Sequence, residues 1–230
     1  MKRFFELLKN YNFLFLIKKS FEEVVRIVWK NMIRGSYSQN YEDLIINKII
    51  NKTKGVYLEI GGYHPTRLSN TYFFYKKGWR GTVVEPNPEV KKLFKKVRPE
   101  DKFINSGISD KYGIMNYYNF MIPAINTFSK IEASNSIKRG HKLEKVIKIK
   151  TIKINELVDG EIDLLSLDTE GFDKKILNSW PWHKIKPKII CVESNVIKML
   201  EKKGYKVVTK NKVNTIFVFG KSGFWGDRKQ

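Results

Sequence analysis

The stretch Val56-Tyr57-Leu58-Glu59-Ile60-Gly61-Gly62-Tyr63-His64-Pro65, taken up again by Thr82-Val83-Val84-Glu85-Pro86-Asn87-Pro88, decides the architecture of this chain. Each part is a short apolar run closed by an acid and turn-forming residues, which predicts a buried strand. Between them Ser69 can cap a helix that runs to Lys77 and stops at Gly78. Asn87, with Pro88 at the first helical position, opens another helix through Val97. Strands that alternate with helices predict crossover connections and a mainly parallel sheet covered on both faces.

Outward from this unit the alternation continues. Before it, Asn40 is read as the cap of a helix carrying Leu44, Ile45, Ile49 and Ile50. After it, strands are predicted at 102–105, 114–119, 146–150, 162–168, 188–193, 206–210 and 215–219, with helices at 172–178 and 196–203. The link around Asn211 is too short for a parallel crossover, so the last strand must run antiparallel to its neighbour. Residues 120–144 break the rhythm with a polar stretch lacking a strong period, and are read as a substrate or lid insertion. Residues 1–34 read as an N-terminal extension of two amphipathic helices, in which Phe4, Leu7, Leu8, Phe21, Val24, Val25 and Val28 alternate with Lys and Arg. Two roles suit them, packing on the domain or a second subunit and peripheral contact with a membrane. The domain proper is then 35–230.

The net charge of +21 invites a nucleic-acid reading, but only 8 of the 44 basic residues are Arg, the side chain whose planar fork suits phosphate and base recognition. Lysine-rich solvated faces are the alternative, and nucleic acid is not the expected partner. The single cysteine, Cys191, lies in the apolar run Ile189 to Val192, so a reduced, cytoplasmic setting is expected. No apolar run in the N-terminal region reaches the ~20 residues that a spanning helix needs.

Candidate chemistry sits at strand ends, where open parallel sheets bind ligands. Gly61 and Gly62 allow close approach of a ligand to the backbone, and Glu85 at the end of the next strand is placed to take both hydroxyls of a ribose. The phosphate-cradling pattern of three glycines is absent, since Tyr63, His64 and Pro65 follow the pair. That favours S-adenosylmethionine, which has no pyrophosphate, over a dinucleotide. The run Leu164-Leu165-Ser166-Leu167-Asp168-Thr169-Glu170-Gly171 presents Asp168 and Glu170, either as catalytic carboxylates or as helix-terminal acids. Cys191-Val192-Glu193-Ser194-Asn195 ends a further strand, so Asp168, Glu193 and Asn195 could share a divalent cation such as Mg2+; Ser194 or Asn195 could equally cap a helix. His64 is the histidine placed to act as a base or meet the cofactor, and no zinc spacing exists.

In combination and in order, Ser38 to Asp43, Glu59-Ile60-Gly61-Gly62, His64-Pro65 with Ser69-Asn70-Thr71, Gly78 to Gly81, Glu85 to Pro88, Asn105 to Asp110 and Asp168 to Gly171 resemble the FkbM family of methyltransferases. The resemblance covers residues 36–220. It implies a class I methyltransferase (Rossmann-like) α/β fold, a seven-stranded mostly parallel sheet whose last strand is antiparallel. It also implies methyl transfer from S-adenosylmethionine to a hydroxyl oxygen, often of a sugar or polyketide. Carried over by position, Glu59, Gly61 and Gly62 would line the methionine part of the cofactor, and Asn70 and Thr71 would meet its carboxylate. Glu85 would hold the ribose, Ser106, Gly107 and Ile108 the adenine, and Gln39 would close over the site. The chain departs from the common pattern in having Glu59 where Asp is usual, and in the turn Gly62-Tyr63.

The expected acceptor is a small molecule, foremost a nucleotide-linked sugar for a bacterial surface glycan, with lysines near the site to meet its pyrophosphate. The base is expected among Asp168, Glu170 and His64. Nucleic-acid methylation, nicotinamide chemistry and non-catalytic adenosine binding are the rival readings, and a homo-oligomer is compatible with all of them.

Overall fold

The computed structural model describes residues 35–50 and 52–220, so the two N-terminal helices expected in 1–34 lie outside the described residues. Helix α1 (Glu42–Ile50) leads into β1 (Val56–Ile60), α2 (Tyr72–Lys76) and β2 (Arg80–Val84). A single 3-10 turn then precedes α3 (Lys91–Val97) and β3 (Lys102–Ile104). Asn87 opens that turn as predicted, its Oδ1 accepting the Glu89 N–H at 3.0 Å. Ser69 accepts the Tyr72 N–H at 3.1 Å, and Gly78 ends the helix at φ +91°. At α1 the cap is not Asn40: the Ser38 hydroxyl accepts the Asp43 N–H at 3.4 Å.

The later strands are β4 (Gly107–Ser109), β5 (Gly113–Phe120), β6 (Leu143–Lys153), β7 (Leu164–Leu167), β8 (Ile189–Val192), β9 (Tyr205–Lys210) and β10 (Thr215–Phe219). Helices α4 (Lys130–Lys138), α5 (Asp173–Asn178) and α6 (Ile197–Glu201) lie among them. Seven strands make one sheet in the order β3-β2-β1-β7-β8-β10-β9. All pairs from β3 to β8 are parallel, and β10 is antiparallel to both its neighbours. The short β9–β10 link is locked by Asn211, whose Oδ1 accepts the N–H groups of Val213 and Asn214 at 2.8 and 2.7 Å.

Because β7 and β8 are covered on both faces, all their residues are buried. Strand alternation splits the core into two layers. Leu58, Ile60, Leu165, Leu167, Ile190 and Val192 face one side with Trp180 and Leu200. Tyr57, Val83, Leu164, Ile189 and Cys191 face the other with Phe74, Trp79 and Phe94. This parity also aims Glu59, which follows Leu58, at the second layer.

Two of the predicted strands, 114–119 and 146–150, do not join the main sheet. They lie in β5 and β6, which pair antiparallel in a separate three-stranded sheet with β4 at its other edge. The segment 120–144 is not a plain loop either. It contains a 3-10 turn at Pro123–Ile125 and then α4, capped by Ser129 accepting the Glu132 N–H at 3.2 Å. The Ser129-x-x-Glu132 spacing was the available signal for that helix start. Among the described residues no helix is long and apolar enough to cross a membrane.

Candidate active site

A cavity of about 260 Å³ opens beyond the carboxyl ends of the parallel strands. Its floor begins at Gly61, whose N–H bonds the Val84 carbonyl at 2.9 Å. Gly61 has φ +89°, and a Cβ there would stand 1.7 Å from the Asp168 carbonyl oxygen. Glycine is therefore required twice over, by the left-handed backbone and by contact with a neighbouring strand end. Gly61→Ala is expected to destabilise the fold by more than about 2 kcal/mol in urea denaturation, since strain and a backbone clash add.

Glu85 anchors the next wall. Its carboxylate accepts the Tyr63 N–H at 2.8 Å and the Asn87 N–H at 2.7 Å, tying together the turns after β1 and β2. Burial pushes its pKa up to about 7 against those two hydrogen bonds. Asn105 Nδ2 donates to the Glu85 and Pro86 carbonyls at 2.8 and 3.0 Å, so Ser106 and the start of β4, Gly107 and Ile108, are presented to the same space. A Cβ on Gly107 would meet the Phe128 ring at 2.5 Å. Phe128 packs on Tyr117 and Phe172, with centroids 4.7 and 5.9 Å away, and so roofs this end.

The opposite end is acidic. Asp168, Glu170 and Glu193 each offer a carboxylate oxygen within 4.8 Å of the others. Glu170 sits at φ +49°, a conformation unusual for a residue with a Cβ, and its carbonyl accepts the Thr127 hydroxyl at 2.7 Å. That bond holds the 120–144 insertion onto the turn after β7. Asp173 braces the turn from below, accepting from Thr169 and from the Ser194 N–H and hydroxyl. Burial, then the charges of Glu193, Glu170 and Asp173, push Asp168 well above the usual carboxylate range. Burial, then Glu193 and Asp173, push Glu170 up to about 8. Glu193 is raised as well, although the hydrogen bond from Asp168 opposes that.

Of the sequence-predicted residues, Gln39, Gly61, Glu85, Ser106, Gly107, Ile108, Asp168, Glu170 and Glu193 line this one cavity. Gln39 arrives there because Asp43 gathers the loop before α1, accepting from Tyr37 N–H at 2.6 Å and from the Ser36 and Ser38 hydroxyls at 2.7 and 2.9 Å. Six predicted residues stand elsewhere. Strand parity turns Glu59 into the helix layer, where its carboxylate meets Arg98 at 3.0 Å and Thr71 at 2.7 Å. Thr71 is thereby consumed, and Asn70 donates to the Ser166 hydroxyl at 3.1 Å. Gly62 packs against Val83 and Phe94. His64 Nδ1 accepts the Thr66 and Arg67 N–H groups, both at 3.1 Å, and burial followed by Arg67 lowers its pKa to about 4. Asn195 does not line the cavity, and the third carboxylate beside Asp168 and Glu193 is Glu170.

The lysines expected near the site are absent from it: the described lining includes four acids, Glu85, Asp168, Glu170 and Glu193, and no Lys, Arg or His. Sequence reading also missed the aromatic walls Tyr63, Tyr117, Phe128 and Phe172, which come from the turn after β1, from β5, from the segment before α4 and from the start of α5 and meet only in the folded chain. It missed Arg98 too, the one arginine closing a lysine-rich helix.

The family model of the methyltransferase FkbM domain matches residues 59–207, well over half of the chain. The chain belongs to the FkbM methyltransferase family. Its seven-stranded sheet with an antiparallel last strand is that of class I methyltransferases. The FkbM methyltransferase of Methylobacillus flagellatus KT is similar at 10% identity and TM-score 0.48, covering 80% of this chain and 48% of its own. This FkbM chain thus spans about half the length of that relative. A precorrin-6y C5,15-methyltransferase from Geobacter metallireducens shares 14% identity at TM-score 0.43, over 80% of this chain and 89% of that one. The 1,6-didemethyltoxoflavin-N1-methyltransferase of Burkholderia thailandensis shares 13% at TM-score 0.40, over 79% and 78%. No curated protein matches the chain.

Proposed function

We propose that this FkbM-family chain transfers the methyl group of S-adenosylmethionine to a hydroxyl oxygen of a small molecule, foremost a sugar of a surface-glycan precursor, in the cytoplasm. The observation that carries the reading is the polarity of this cavity. One end offers Glu85, Ser106 and the start of β4 for a nucleoside, and the other offers three carboxylates for an acceptor. The cavity supplies no cation or three-glycine turn for a pyrophosphate, which supports a sulfonium donor over a dinucleotide. For a nucleotide-linked sugar, the sugar ring enters and the pyrophosphate stays outside.

The chain's own residues then act mainly by position. Holding the acceptor oxygen in line with the methyl carbon supplies most of the rate. As the oxygen–carbon bond forms and the carbon–sulfur bond breaks, the hydroxyl proton passes to the Asp168–Glu193 pair. The same carboxylates, Asp168, Glu170 and Glu193, are the hard-oxygen set that would hold a divalent cation such as Mg2+, which would polarise that hydroxyl. Mass spectrometry after incubation with S-adenosylmethionine and a panel of nucleotide sugars, with and without a chelator, tests acceptor and metal together. Cofactor binding with no methylated product from any glycan precursor would overturn the reading.

The raised carboxyl groups set the pH dependence. Glu85 at about 7 and Glu170 at about 8 keep protons that the unfolded chain, near 4.5, releases. Their contribution to stability is full below about pH 4.5 and is lost as pH rises through about 8. Turnover runs the other way, because the accepting carboxylate must be ionised, so it is expected to rise with pH through an inflection well above the usual carboxylate range, where burial and the neighbouring acids hold Asp168. Glu170→Gln removes a like charge, and the inflection in a pH–rate profile should move to lower pH.

A further inference from the structure

The β5–β6 ribbon has two faces, and the cavity uses only one. Residues paired across an antiparallel ladder share a face, so the register Ile114 with Lys150, Asn116 with Lys148 and Tyr118 with Val146 places these six together. The alternate residue Tyr117 points the other way and lines the cavity. On the outer face Ile114 is 64% exposed and Val146 45% exposed, and Lys148 and Lys150 are exposed beside them. A solvated sheet face ordinarily reads polar, and this one carries exposed Ile114 and Val146 at either end of the pair Lys148 and Lys150. Helix α4, which precedes β6 in the chain, also exposes Ile131 and Ile137, at 72% and 49%. Residues 130–153 carry eight basic side chains against two acidic ones.

From this face we infer that the outer side of the β5–β6 ribbon docks on an anionic lipid bilayer, lysines meeting the headgroups while isoleucine and valine reach the acyl boundary. Anionic surfaces attract clustered Lys, and exposed aliphatic groups beside them add apolar burial that a soluble partner ion would not reward. Nucleic acid fits less well, because the outer face has no arginine fork and its most exposed apolar groups are aliphatic rather than stacking rings. A second copy would set like charges face to face. The ribbon's other face walls the cavity, so docking would hold the cavity one sheet thickness from the membrane. The inference does not depend on which acceptor the cavity takes.

Flotation of the full-length protein with vesicles tests it. The protein is expected to float with a phosphatidylcholine–phosphatidylglycerol mixture and not with phosphatidylcholine alone. Lys148→Gln with Lys150→Gln should weaken binding about thirtyfold. Ile114→Ser with Val146→Ser, which leaves the charge unchanged, should weaken it several-fold. Unchanged melting temperatures and S-adenosylmethionine titrations show that these surface variants fold. Equal flotation of both variants and the parent would place attachment elsewhere, in residues 1–34 for example, and overturn the inference. So would tighter binding to single-stranded RNA than to the mixed vesicles at one salt concentration, or a dimer that the variants abolish.

Discussion

Asp168→Asn is expected to lose roughly a thousandfold in turnover on the true acceptor while binding S-adenosylmethionine almost as the parent does; general-base removal costs about 10²–10⁴. The substitution keeps the shape at a crowded point. The Asp168 N–H bonds the Ile60 carbonyl at 3.0 Å, and its own carbonyl packs against Gly61. What is removed is the carboxylate charge, and with it the ability to take a proton or help hold a cation. Steady-state turnover measured beside a calorimetric cofactor titration separates the two effects. Because Asp168 and Glu193 share a hydrogen bond, adding Glu193→Gln should lower turnover little further, as residues that act as a unit are not additive. Full turnover in Asp168→Asn would move the proton acceptor to Glu193 or Glu170.

The second large effect is on stability. Arg98 is 1% exposed, and its guanidinium meets Asp101 at 2.6 Å, Glu59 at 3.0 Å and Thr71 at 2.9 Å. Tyr57 stacks near it, with its ring centroid 5.4 Å away, and donates to Asp101 at 2.7 Å. Burial drives the Glu59 carboxyl upward, and Arg98 is the first influence that holds it down. Arg98→Met leaves two buried acids without their cation, and unpairing a buried charge costs about 3–5 kcal/mol. The expected loss in urea denaturation is of that size, with a melting temperature lower by roughly 10 °C. Combining Arg98→Met with Glu59→Gln should recover part of it. Glu59→Gln alone should leave cofactor affinity unchanged at temperatures where it is folded, since Glu59 faces the helix layer. A large loss of affinity there would return Glu59 to the cofactor site.

The main sheet was legible because its causes are local. Apolar runs such as Leu164 to Leu167 are buried strands wherever they pack, Asn87-Pro88 starts a helical turn by its own chemistry, and the short link at Asn211 forces an antiparallel return. The strand-end acids Glu85, Asp168 and Glu193 were legible for the same reason, since parallel strands bring their carboxyl ends to one edge. Strands β5 and β6 were legible as strands but not as a separate sheet, because pairing partners are chosen at long range.

By itself the sequence determined the alternating architecture, the FkbM resemblance and the edge at which the chemistry gathers. Only the tertiary structure decided the rest of the stretch from Val56 to Pro88. Glu85 faces the cavity, whereas Glu59 turns away to Arg98. The reason is that a motif records which residues end a strand, while the face each side chain takes depends on the pleat and on what packs beneath it. In the same way Glu170 joined Asp168 and Glu193 and His64 went to brace its own turn, because through-space distances are set by the turns after β1, β7 and β8 rather than by spacing along the chain.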